Sequence, residues 1–136
     1  MPDILKRYSL VYLATPYTKY QTGIEMAFRD AAAVAAKLMT AGVPVYSPIC
    51  HGHPMTLYGG VEPLNHNLWL SYDETMMNKC DALVIARMNG WQDSYGVAEE
   101  AKHFRASNKP IYELCPDTLN VEPQVDHEIN SWRRTA

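Results

Sequence analysis

The chain has 136 residues, the size of one domain of roughly 100–150 residues, with no length left for a second independent core. Its 47% hydrophobic and 20% charged residues exclude global disorder and a membrane-embedded chain. Twelve Lys+Arg against fifteen Asp+Glu give a net charge of −3 with no basic block, which excludes polymeric nucleic acid as an expected partner.

Tyr8-Ser9-Leu10-Val11-Tyr12-Leu13-Ala14 is β-branched, aromatic and nearly all apolar, the pattern of a strand buried on both faces, and it stops at Thr15-Pro16. Thr22-Gly23-Ile24-Glu25 has capping-box spacing. Ile24, Phe28, Ala31, Ala35, Leu38 and Met39 then recur at three- or four-residue intervals, which predicts a helix over 22–41. Val43-Pro44-Val45-Tyr46 reads as a short strand. Two prolines and a glycine in Ser47-Pro48-Ile49-Cys50-His51-Gly52-His53-Pro54 predict an irregular segment from there to about Leu64. A second helix over about 65–80 places Leu68, Tyr72 and Met76 on one stripe and Trp69, Asp73 and Met77 on the next, with Asp81 closing it.

Ala82-Leu83-Val84-Ile85-Ala86 is another buried-strand run, followed by a polar loop from Arg87 to Tyr95 and a third helix from about Gly96 to Ser107. Lys109 to Leu114 predicts a strand entered through proline, and Gln124 to Arg134 a terminal helix. Strands alternating with helices of this length predict an α/β fold, a parallel sheet covered on both faces with right-handed crossovers. Ligands in such folds bind beyond the carboxyl ends of the strands, which selects Thr15–Tyr20, Ser47–His53 and Arg87–Ser94. The apolar runs are far shorter than the roughly 20 residues that cross a bilayer, and the first residues lack a signal-peptide core, so a cytoplasmic protein without a membrane partner is expected.

Cys50, Cys80 and Cys115 are odd in number and lack C-x-x-C spacing, which argues against a disulfide framework and a structural zinc site. Cys50-His51-Gly52-His53 has no third ligand at a defined spacing, so no metal is expected. Asp93-Ser94-Tyr95-Gly96-Val97-Ala98-Glu99-Glu100 enters a helix, where backbone N–H groups can meet an oxygen-rich group. Its acids also fit a plain electrostatic role in a first helical turn. Asp73 within an apolar helix has either a wet face or a buried partner. Two carboxylates converging beyond the sheet suit glycosidic cleavage, one attacking the sugar carbon and the other supplying a proton. Tyr12 is read either as packing or as a hydroxyl reaching the same crevice, and Trp69 and Trp91 either as core residues or as stacking faces for a base.

Together, Val11-Tyr12-Leu13-Ala14-Thr15-Pro16-Tyr17, Tyr72-Asp73 followed by Cys80-Asp81, and Ser94-Tyr95-Gly96-Val97-Ala98-Glu99-Glu100 resemble the nucleoside 2-deoxyribosyltransferase superfamily over roughly Tyr8 to Leu114. That superfamily includes nucleoside 5′-monophosphate N-glycosidases, and the chain looks most like its small bacterial and phage members. The resemblance implies a single Rossmann-like (flavodoxin-like) three-layer domain over 1–136, with a mainly parallel sheet of four to five strands. By the same resemblance Glu100, four residues after Gly96, matches the nucleophile, Asp73 the proton-handling aspartate, and Tyr12 the active-site tyrosine. Ser94 matches a serine that helps bind a substrate phosphate. The implied substrate-binding residues are Ala14, Thr15, Pro16 and Tyr17, then Pro48, Ile49 and His51, and finally Trp69, Trp91, Ser94 and Gly96. Where the nucleotide glycosidases carry an arginine after the first strand, this chain has Thr15-Pro16-Tyr17-Thr18-Lys19.

The expected reaction is cleavage or transfer at the N-glycosidic bond of a (deoxy)nucleoside or nucleoside 5′-monophosphate, through a covalent glycosyl-enzyme and without a cofactor. A homodimer or higher homo-oligomer is expected by resemblance, with the Met76-Met77 stripe as surface to bury. The alternatives are a catalytically silent nucleotide-binding module and a structural protein in which Tyr12, Asp73 and Glu100 are unrelated.

Overall fold

A computed structural model describes residues 2–124. Every residue of β1 (Val11–Ala14) and of β3 (Ala82–Ala86) is buried, as strands covered on both faces must be. The two lie side by side in parallel, Val11 opposite Ala82 and Ala14 opposite Ile85. With β2 (Val45–Tyr46), β4 (Ile111–Leu114) and β5 (Val121–Pro123) they form a five-stranded sheet in the order β2-β1-β3-β4-β5. All neighbours are parallel except β4 and β5. The fold is α/β, consistent with a Rossmann-like three-layer domain.

Helices α1 (Ile24–Thr40), α2 (Pro48–Gly59), α3 (His66–Lys79) and α4 (Tyr95–Ala106) flank the sheet. The pleat sorts the strand residues between two cores. Val11, Leu13, Ala82, Val84 and Ala86 pack with Val34 and Leu38 of α1. Tyr12, Ala14, Leu83 and Ile85 point the other way, onto Met77 of α3 and Val97, Ala101 and Phe104 of α4. The Lys109 ammonium donates to the Cys80 carbonyl at 2.8 Å, placing a cation where α3 ends.

Several expectations are corrected. Residues 47–64 are not irregular throughout, because Ser47 caps α2 by accepting from the Cys50 N–H at 3.2 Å and Pro48 opens its first turn, where a missing N–H costs nothing. The capping box at Thr22 does not form. Gly23 is the N-cap of α1 at φ 98°, no side chain caps the helix, and Glu25 is held instead by Arg29 and His53. Met77 is 2% exposed in this chain's own core, so the Met76-Met77 stripe is not free surface. Exposed apolar side chains on α2, α3 and their connection include Leu57, Tyr58, Leu64 and Leu68, and others, such as Met39 of α1, lie elsewhere. Gln124 is extended, its N–H donating to the Ile111 carbonyl at 2.9 Å, and the rest of the predicted terminal helix lies outside the described residues.

Candidate active site

The chain leaves β1 for β2 on one side of the sheet and returns to β3 on the other, so the loops after β1 and β3 part at the position where doubly wound folds bind ligands. A crevice partly open to solvent lies there. Helical spacing builds its walls. Ile49, Gly52, His53 and Thr56 are one face of α2, and His66, Trp69, Leu70 and Asp73 are the matching face of α3. Gly96 and Glu100 come from α4, with Thr15 and Tyr17 after β1, Pro48 at the start of α2, and Ser94 capping α4 through the Val97 N–H at 3.2 Å.

Glu100 is buried because it shares the core-facing stripe of α4 with Val97, Ala101 and Phe104. Tyr12, fully buried in β1, donates its hydroxyl to Glu100 Oε2 at 2.8 Å. Burial pushes the Glu100 carboxyl well above the usual range, the Tyr12 hydrogen bond opposes that, and the Asp73 carboxylate adds to it. Asp73 is itself raised from 3.8 to about 6 by burial. The Tyr12 hydroxyl resists ionisation because it is buried beside two carboxylates. A hydrogen-bond donor that favours the charged form of one member is the kind of asymmetry that separates acid from nucleophile in a carboxylate pair.

Nine of the predicted residues line this crevice: Glu100, Asp73, Thr15, Tyr17, Pro48, Ile49, Trp69, Ser94 and Gly96. Tyr12 stands behind the wall and touches the crevice only through its hydrogen bond to Glu100. The other four lie elsewhere. Ala14 points into the core between β1 and α4, and Trp91 packs against that same core. Pro16 borders an adjoining cleft with Lys19, Asn89 and Asp93. His51 is exposed on the other side of α2, its Nε2 2.8 Å from the Tyr72 hydroxyl. Glu99 is half-buried outside the crevice.

Sequence reasoning missed Gly52, His53, Thr56, His66 and Leu70. The signal was present in Ser47-Pro48, since a cap followed by proline starts a helix and puts residues 49, 52, 53 and 56 on one face. Gly52 is needed for close approach, because a β-carbon there would stand 3.0 Å from the Trp69 ring. Tyr46 was missed too. Its ring packs on Tyr12 at 5.7 Å and its buried hydroxyl has no hydrogen-bond partner among the described residues.

Among the described residues no group of three or more His, Cys, Asp or Glu is placed to hold a metal ion, and the three cysteines are free. No described helix is long and apolar enough to cross a membrane. Fold and site define an α/β protein with a carboxylate-bearing crevice at the switch point of its sheet. Residues 9–115 match the model of a family described as a domain of unknown function (DUF1937), and the chain belongs to that family. No curated protein matches the chain.

Proposed function

We propose that the protein cleaves or transfers the N-glycosidic bond of a (deoxy)nucleoside or nucleoside 5′-monophosphate. The observation that carries this reading is the buried Tyr12–Glu100 hydrogen bond at a crevice that also presents the raised Asp73 carboxyl. The resemblance of the three motifs to the nucleoside 2-deoxyribosyltransferase superfamily supports it.

In the reaction the Glu100 carboxylate attacks C1′ as the C1′–N bond breaks, and the Asp73 carboxyl gives its proton to the departing base. The Tyr12 hydroxyl stabilises the charged form of Glu100 before attack. Burial and the Asp73 charge favour the proton on Glu100 in the free protein, so attack requires it to pass to Asp73, a shift that the Tyr12 hydrogen bond and the growing positive charge on the sugar favour. Asp73, now a carboxylate, takes a proton from water or from a second base as that nucleophile opens the glycosyl ester, restoring both groups. Trp69, Pro48 and Ile49 supply the apolar wall for the base, and Ser94 with the first N–H groups of α4 supplies donors for oxygen-rich groups of the ligand. A homo-oligomer and a cytoplasmic setting belong to the same proposal.

The test incubates the protein with a panel of ribo- and deoxyribonucleosides and their 5′-monophosphates and follows free base by chromatography. Wild type and Glu99→Ala should release base and Glu100→Ala should not. Undiminished release by Glu100→Ala would overturn the assignment, and binding without release would mark a silent nucleotide-binding module.

A further inference from the structure

Glu25, His53 and Tyr17 come from α1, α2 and the loop after β1, and they meet at the crevice wall. His53 Nδ1 lies 2.7 Å from the Tyr17 hydroxyl, and His53 Nε2 lies 3.3 Å from Glu25 Oε1. The His53 side chain is 3% exposed. Its ring is stacked on Phe28 at 4.5 Å and meets the edge of Tyr17 at 5.7 Å, so packing leaves it little freedom to turn. His53 and Tyr17 both border the crevice, while Glu25 is anchored from outside by Arg29 Nε at 2.9 Å.

The proton positions follow from which groups can only accept. Arg29 first, then His53, holds the exposed Glu25 carboxyl below the usual carboxylate range, so it is an acceptor alone. In the neutral imidazole, an acceptor at Nε2 holds the hydrogen there and leaves Nδ1 as a lone pair. The Tyr17 hydroxyl must then give its single hydrogen to Nδ1. Thr56, one turn along α2 from His53, also hydrogen-bonds this phenol. With its single hydrogen on Nδ1, the Tyr17 hydroxyl can act towards a ligand in the crevice it lines only as an acceptor.

We infer that Glu25 and His53 are positioning residues that hold the Tyr17 hydroxyl as an obligate hydrogen-bond acceptor in the crevice, selecting ligands through a sugar hydroxyl that donates to it. This deepens the reading given above and rests on the crevice binding a nucleoside or nucleotide. A built acceptor left unpaired penalises an analogue that lacks the donor, so Tyr17 is a specificity determinant and not only a wall. His51, two residues away, shows the contrast: its contact with Tyr72 lies on the exposed side of α2, and neither residue lines the crevice.

The test has a ligand-free arm and a binding arm. Imidazole 15N spectra of the wild-type protein should show His53 as the Nε2–H tautomer, shifting toward a mixture in Glu25→Gln. Calorimetry should then show wild type binding a 2′-deoxynucleoside about tenfold more tightly than the analogue lacking its 3′- or its 5′-hydroxyl, or a 2′-deoxynucleoside 5′-monophosphate about tenfold more tightly than the analogue lacking its 3′-hydroxyl. Tyr17→Phe and His53→Phe should erase the difference. His53→Asn, whose amide oxygen replaces the Nδ1 lone pair, should restore it. An Nδ1–H tautomer in the wild type, equal discrimination by Tyr17→Phe and wild type, or binding of no panel member would overturn the inference. Because neither arm reads base release, a protein that binds and discriminates but releases no base refutes the reaction and leaves this inference standing.

Discussion

Two buried glutamates set the sheet edge against the crevice. Glu113 of β4, 2% exposed, faces Arg87 at 2.6 Å and accepts from Gln124 at 2.8 Å, and Arg87 reaches on to Glu122 of β5 at 2.8 Å. Glu100 of α4, 7% exposed, has the Tyr12 hydroxyl and, among the described residues, no cation. The same side chain at similar burial thus sits in two kinds of environment. At the edge its charge is cancelled by a guanidinium and the cluster fastens antiparallel β5 to β4. In the crevice only a phenol stands beside it, burial pushes it towards its neutral form, and it is this uncompensated carboxyl that the proposed reaction would use.

Breaking the crevice side has the largest expected effect. Glu100→Gln should lower base release by about 10³-fold or more while leaving the circular dichroism spectrum intact, whereas Glu99→Ala should stay within a few-fold. Next comes the edge. Arg87→Ala leaves Glu113 buried without a cation and should cost about 3 kcal/mol of stability in urea denaturation, with base release per folded molecule unchanged. If Arg87→Ala abolished activity in a folded protein, the division between the two glutamates would fail.

Tyr12→Phe removes the hydrogen bond that separates Glu100 from an ordinary desolvated acid. A bond to a charged group is worth about 1.5–3 kcal/mol, so kcat should fall about 10- to 100-fold with little change in KM. The smallest effect concerns pH. Burial raises Asp73 from 3.8 to about 6, so the folded state holds its proton more tightly than the unfolded chain. The stability this gives is complete below the unfolded pKa and is lost as pH rises through about 6. Asp73→Asn should therefore exceed wild type by about 1–2 kcal/mol at pH 8, after discounting for partial exposure, and match it at pH 3.5, as read by denaturation at the two pH values. Base release by the wild type, which needs one proton on the carboxyl pair, should rise as pH increases through about 6, where the pair passes from two protons to one, and fall again only at higher pH.

The residues that were legible in sequence are those whose environment is local. Val11–Ala14 and Ala82–Ala86 are hydrocarbon runs, and such runs go to the middle of a parallel sheet. The burial of Glu100 follows from its spacing to Val97, Ala101 and Phe104. What was not legible depends on distant partners. Residues 48–59 carry two prolines and two glycines, so their helix rests on a cap at Ser47 and on Gly52 closing against Trp69 of α3. Glu25 has capping-box spacing but is captured by Arg29 and by His53, which is 28 residues away. β5 is three residues ending in proline, and its place depends on Arg87 and Gln124 reaching Glu113 and Glu122. That Met77 faces inward while Leu68 stays exposed was likewise beyond a periodicity that fits both stripes.

The central claim is that Glu100 forms the bond to the sugar. Mixing the protein with the panel nucleoside that releases base, quenching in acid and sequencing the modified peptide by mass spectrometry reads that bond directly. A pentosyl ester on Glu100, absent from Glu100→Gln, is the predicted result. Base release with no adduct on quenching at any time point, or an adduct on Asp73 in place of Glu100, would contradict it.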